Sequence, residues 1–198
     1  MDRDADSRPR KRSSRDAFLK STAELLRSQG YAATGLNEIV ARSGAPKGSL
    51  YFHFPGGKEQ LAGAAMTRSG ELLACAMAAV LASHDDLGEA LASLVDALAA
   101  GLEASGYRDG CPIATVALET AGDSQELRTV AGLAFDSWLE VLRARLEASG
   151  LSGAAAERRA LLVLSAIEGA LLLARVRRDL SPLLAVREEL VELQRCSS

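Results

Sequence analysis

"GAPKGSLYFHFPGGKEQL", Gly44 to Leu61, decides how the rest of the chain is read. Gly44 can supply the positive φ that a tight turn needs. Pro46 suits the first turn of a helix, where its missing N–H costs nothing. The spacing therefore predicts a short helix from about Pro46 to Phe52 that buries Leu50, a break at Pro55-Gly56-Gly57, and a new helix from Lys58. Upstream, a second short helix follows Thr34, with Leu36, Ile39 and Val40 inward. Two short helices joined by a glycine-containing turn form a helix-turn-helix over about 35–54, whose second member can enter a major groove. Phe52 and Phe54 read as core beneath it.

The chain has 198 residues, 48% hydrophobic, 25% charged and only 4% aromatic. Alanine, leucine, arginine and glutamate favour helix over strand, so the expected fold class is all-α. The formal net charge is −3 but is unevenly spread: residues 1–60 hold 11 Lys/Arg against 7 Asp/Glu, and the remainder 12 against 19. A basic head on an acidic body suits a polyanion bound at one end. The polar, charged N-terminus does not resemble a signal peptide, and the longest uninterrupted apolar run, Leu72 to Ala82, is too short to cross a bilayer. Three cysteines and two histidines show no metal-ligand spacing, so no metal or cofactor is expected, and the default setting is cytoplasmic.

Residues 1–12 read as a disordered basic arm, 13–57 as the helix-turn-helix domain and 58–198 as the body. The first helix starts at Ser13 or Ser14 and is closed by Gly30 as a left-handed C-cap, with Tyr31 folding back. In the body, Asp86 with Glu89 and Asp123 with Glu126 have capping spacing, Pro112 opens a helix through Thr120, and Ser181-Pro182 opens the last one.

Residues 15–61 resemble the DNA-binding domain of the TetR family of bacterial transcriptional repressors. The likeness rests on an apolar first helix ending at Gly30-Tyr31, then "TGLNEIVARSGAPKGSLYFHF" (34–54) and a Lys-Glu pair opening the fourth helix. The extra glycine in "FPGGKEQL" and the later "GCPIATVALE" (110–119) resemble the subgroup of the lincomycin-resistance repressor. Two positions depart from the pattern: Ala45-Pro46 stands where Ser or Thr often caps the recognition helix, and Thr22 where alanine is common. The resemblance implies DNA contacts at Thr34, Lys47, Gly48, Ser49, Tyr51, His53 and Lys58. Small Gly48 and Ser49 allow close approach to base edges, while Lys47 can reach guanine or phosphate. Tyr51 and His53 suit phosphate oxygens, and Lys58 adds its charge to the free amides opening the fourth helix. Thr34 could serve a phosphate through hydroxyl and amide. The arm, with Arg8, Arg10, Lys11, Arg12 and Arg15, is either a solvated tail or a minor-groove contact.

The eighth helix contains "ALLVLSAIEGALLLA" (160–174), apolar almost all round, as a helix buried on two sides is. A homodimer through the eighth and ninth helices is the economical reading and the one the resemblance implies, with Leu162, Ala166, Gly169, Leu173, Leu183, Val186, Leu190 and Leu193 at the interface. A two-fold dimer requires a palindromic operator in double-stranded DNA. Leu72, Met77, Leu94, Leu98, Ile113, Val116, Phe135, Trp138, Val141 and Ile167 converge on a centre that is either plain core or, as the resemblance implies, a pocket for an apolar small-molecule inducer. Thr115, Glu119, Ser137 and Glu168 are its candidate polar contacts, although Glu168 is also placed to pair with Arg175. The fourth helix is expected to be the only direct link from head to body. Cys111 reads as a packed thiol, the alternative being an oxidant sensor. The function expected is a repressor released by its ligand. The alternatives are an architectural DNA-binding protein without inducer and a small helical enzyme using Cys111, for which no catalytic constellation is visible.

Overall fold

The computed structural model describes residues 13–195, with side chains through Glu192. The basic arm, Cys196 and the Leu193 side chain lie outside the described residues. Within them the chain is helical without strands: α1 Ser14–Ala33, α2 Leu36–Ser43, α3 Lys47–His53, α4 Gly57–Ala82, α5 Leu87–Ala104, α6 Pro112–Thr120, α7 Gln125–Ala148, α8 Gly153–Arg177 and α9 Ser181–Arg195.

The ends follow from local chemistry. Ser13 Oγ accepts the Asp16 amide at 3.2 Å, and Asp86 Oδ1 accepts that of Glu89 at 2.8 Å. Before α7 it is Ser124, not Asp123, that caps, its Oγ accepting from Leu127 N at 3.0 Å. Gly30 has φ 79° and ψ −175°, so it breaks the direction of α1 without adopting the compact left-handed cap. Gly44, at φ 65° and ψ 7°, makes the left-handed turn between α2 and α3.

The head closes over Phe18, Leu26, Ile39, Leu50, Phe54 and Leu61, all buried. Thr22 is buried with them, and its hydroxyl has no hydrogen-bond partner. In the body α4 lies along α7. Their contact is so close at Gly70 that a Cβ there would stand 2.9 Å from Ala134 Cβ. Trp138 Nε1 then donates to Gly70 O at 3.0 Å. Arg145 gathers the carbonyls at the end of α4, donating to Leu81 O, His84 O and Asp85 O at 2.7–3.1 Å. By length and mean hydropathy α4 also qualifies as a membrane span, unlike the shorter run counted in the sequence. Here one side of it, including Leu61, Ala65, Met66, Met77 and Leu81, is buried against α1, α5 and α7, and the other is open.

Among the described residues, the α9 stripe is spent inside the chain. Leu183 and Leu190 are buried where α9 packs on α5 and α8, and Val186 is half-buried. Leu183 and Leu190 therefore do not form an intermolecular face, contrary to the expectation from the sequence. The open apolar surface is on α8 instead, where Leu161, Leu162, Leu172, Leu173 and Val176 are exposed along with Gly169. Ala166 is half-buried at its margin.

Candidate DNA-reading surface and ligand cavity

A helix of seven residues has one face to spare once Leu50 and Phe54 turn inward. In α3 that leaves Lys47 with Tyr51, and Gly48 with Phe52, each pair one turn apart on the outside. Tyr51 is half exposed and Phe52 is 82% exposed, so Phe52 is not core. Nothing lies within 4 Å of a Cβ built on Gly48, which leaves the backbone open to approach. Lys47 Nζ donates to Asn37 Oδ1 at 3.3 Å, and the Ser49 hydroxyl donates back to Pro46 O at 2.7 Å, so its proton is spent within the helix.

His53 is held in place rather than free. Its Nε2 is 2.9 Å from Ser14 Oγ, and its ring meets that of Phe52 edge-on at 5.1 Å. Lys58, in the first turn of α4, sits 4.3 Å over the Tyr31 ring and donates to Ala32 O at 3.4 Å. The Arg15 guanidinium lies 5.7 Å over the Phe54 ring. Thr34 departs from expectation: it is buried, its hydroxyl donates to Gly30 O at 2.6 Å and its amide to Tyr31 O at 3.2 Å. Both groups close the end of α1, and neither is available to a phosphate.

Behind this surface the body holds a cavity of about 510 Å³. Of the residues expected there, Met77, Leu94, Leu98, Trp138, Ile167 and Glu168 line it. Leu72 is instead exposed on the outside of α4, and Ile113 and Val116 are fully packed core. Phe135 backs the wall, its ring 5.4 Å from Trp138, and Val141 is half-buried off the lining. Sequence reasoning missed Leu73, Leu102, Leu142, Leu164 and Leu171, and the polar end made by Arg27, Ser105, Asp109 and Cys111. Arg27 belongs to α1, and its Nε bonds Asp109 Oδ2 at 2.8 Å, so the head itself supplies part of the wall. No spacing in the sequence announces that contact, because it joins residues far apart in the chain.

Glu168 does not pair with Arg175, whose Nη2 donates to Ser28 O at 3.1 Å. Burial pushes the Glu168 carboxyl above the ordinary carboxylate range, and a hydrogen bond from the Cys111 thiol opposes that shift. Burial, and then Glu168, push the Cys111 thiol upward, which disfavours its thiolate. The other polar candidates lie elsewhere. Thr115 donates to Cys111 O and Ser137 to Ala134 O. Glu119 reaches across to the head, its Oε2 accepting from Ala32 N at 2.7 Å. The φ of 79° at Gly30 favours glycine, and a Cβ there would fall 1.8 Å from Glu119 Oε1, so the carboxylate would have to leave its place. With Gly110 N donating to Arg27 O at 3.2 Å, the end of α1 is held by the body at several points. The fourth helix is thus not the only direct link between head and body.

Comparison with known proteins agrees with both halves. Residues 18–65 match the family described as bacterial regulatory proteins, tetR family, and residues 88–189 match the C-terminal domain of LmrA/YxaF-like transcriptional regulators. The uncharacterised HTH-type transcriptional regulator YxaF of Bacillus subtilis is 37% identical over 182 residues, 92% of this chain and 95% of that protein. The HTH-type transcriptional regulator LmrA of the same organism is 35% identical over 173 residues, 87% of this chain and 92% of its own. A crystal structure of a TetR transcriptional regulator from Legionella pneumophila superposes with a TM-score of 0.78 at 23% identity, covering 93% of this chain and 99% of that one, which speaks to fold. An exposed recognition helix in a helical chain, and likenesses that run through both halves, place the protein in the TetR family of DNA-binding transcriptional regulators, with an LmrA/YxaF-like C-terminal domain.

Proposed function

We propose that this regulator is a cytoplasmic homodimeric repressor that holds a palindromic operator and leaves it when a small, largely apolar ligand fills the body cavity. The observation that carries this reading is the position of Arg27: one residue of the DNA-binding head forms part of the cavity wall. A ligand there touches head and body together, so its binding energy can differ between two head orientations, as release requires. In this reading residues 13–57 are the head and 58–198 the body. Lys47, Gly48, Ser49, Tyr51, His53 and Lys58 face the operator, and Thr34 supports them from behind. Two copies meet on the outward strip of α8 around Leu162, Gly169 and Leu173, with half-sites about one helical turn or a multiple apart.

The cavity argues against a purely architectural DNA-binding protein, which has no use for one. The raised Cys111 thiol argues against an enzyme built on it. The test is to sequence DNA co-selected by the purified protein, then to screen compounds for release of that DNA. Selected sequences without two-fold symmetry would overturn the dimeric reading, and a selected site from which no cavity-binding compound releases the protein would overturn the regulatory one.

A further inference from the structure

The cavity is lined mainly by aliphatic side chains, and its ionisable groups do not cancel. Arg27 and Asp109 bond each other at 2.8 Å and neutralise one another. Arg175, the cation that the sequence places two turns beyond Glu168, is engaged by Ser28 O. Glu168 is left lining the cavity beside the Cys111 thiol, with no basic side chain bonded to it among the described residues. A thiol is a weak donor to a carboxylate that offers about four acceptor positions. A buried carboxylate without a cation is costly, and removing that cost favours whatever brings a positive charge to it.

We propose that the ligand of this cavity is an amphipathic amine: an apolar body of aromatic or aliphatic carbon carrying one protonated nitrogen that bonds Glu168. The assignment rests on the reading of this cavity as the regulatory site. Met77, Trp138, Leu142 and Ile167 take the apolar body. Cys111 and Glu168 border the same part of the cavity, and the Glu168 carboxyl offers its lone pairs to the ammonium. Trp138 Nε1 is committed to Gly70 O, so the indole offers the ligand its ring and not its donor. An anionic ligand of the same size would meet Glu168 directly, while Arg27, the cation in the wall, is already held by Asp109.

The test uses the full-length protein and paired probes: benzylamine, 1-naphthylmethylamine and 4-phenylbutylamine, against their neutral counterparts ethylbenzene, 1-ethylnaphthalene and pentylbenzene. Affinities are measured by calorimetry for wild type and Glu168→Gln, and Met77→Trp reports whether a bound probe occupies the cavity. At least one amine should bind wild type about tenfold or more tightly than its hydrocarbon, and Glu168→Gln should abolish that preference while leaving hydrocarbon affinity unchanged. Met77→Trp should weaken both members of the pair by filling the space they use. Equal affinity for amine and hydrocarbon, a preference that survives Glu168→Gln, or no binding by any amine would each overturn the assignment. Operator release is measured separately: an amine that binds through Glu168 but leaves DNA affinity unchanged refutes ligand release and leaves the amine assignment standing.

Discussion

If two copies pair through α8 as proposed, Gly169→Arg should yield folded monomers, and the structure supplies a magnitude. Leu161, Leu162, Leu172, Leu173 and Val176 are between 49% and 74% exposed on the outward strip of α8. Burying a whole aliphatic side chain is worth about 1.5–3 kcal/mol, so the uncovered portions contribute about 1 kcal/mol each. A two-fold interface counts every residue twice, giving about 10 kcal/mol gross from this strip against an association cost of about 4–15 kcal/mol. Such an interface has little to spare. Gly169 lies on the same strip, and no atom falls within 4 Å of a Cβ built there, so an arginine fits within one protomer. Between two α8 helices it must part the apolar surfaces and bury a guanidinium in each copy, a loss of at least about 4 kcal/mol, or roughly a thousandfold in Kd.

Sedimentation velocity at micromolar concentration reads the mass, and circular dichroism reads the fold. Leu190→Ala is the control, because Leu190 is buried within the protomer: it should lower the unfolding temperature without displacing α8 from its partner. A Gly169→Arg protein that remains a dimer of unchanged affinity would refute the assignment of this strip and the burial arithmetic with it.

Phe52→Ala should weaken operator binding by about 1 kcal/mol if its exposed ring packs on a thymine methyl. Deoxyuridine in place of that thymine should then weaken wild type and leave the variant unchanged, whereas Tyr51→Ala should weaken all sequences alike; equal uracil sensitivity in wild type and Phe52→Ala would remove Phe52 from base reading. Thr22→Val keeps the shape and removes a buried hydroxyl that has no partner, so it should stabilise the fold by about 1 kcal/mol, and a lowered melting temperature would contradict that. An inducer in the cavity should change Trp138 fluorescence, and saturating operator should weaken its binding by the same factor by which it weakens operator binding. Equal inducer affinity with and without operator would exclude the linkage.

The helix ends were legible because caps and turns are local chemistry: Asp86 and Glu89, Pro112 and Gly44 each act within four residues of their place in the chain. The outward position of Phe52 was also available in principle. Leu50 and Phe54 are one turn apart, which puts residue 52 on the far side of α3, but in the sequence Phe52 groups with Phe54 as core. The α9 stripe could not be resolved this way. One apolar stripe says that one face is covered, and the same pattern serves α5 of the same chain or a second copy. Nor does sequence separate a cavity wall from packed core. Ile113 and Ile167 are the same residue type on apolar helices, and one is enclosed while the other borders empty volume. The fate of Glu168 turned on the end of α1 arriving beside Arg175, an event separated by 147 positions in the chain.

That arrival also changes where a ligand can act. Helix α4 runs from head to body, but it is a poor lever. Gly70 and Ala134 leave no clearance for sliding, and the Trp138 indole fastens the same turn. The last turn of α1 is held differently. Carbonyls at a helix end need donors, and here the body supplies them: Gly110 N to Arg27 O and Arg175 to Ser28 O. Glu119 serves the amide of Ala32 from the far end of α6, the helix whose first residues, Cys111 and Pro112, border the cavity. Residues 105–112 therefore carry much of the polar end of the cavity and, through Asp109 and Gly110, part of the grip on the head. Under the proposed mechanism, a ligand that displaces this segment exchanges bonded partners at the end of α1 for water, at a few kcal/mol in all. A change of that size is comparable to the coupling free energies that separate bound from released regulators. No motion need be transmitted along α4, since the cavity and the head already share Arg27.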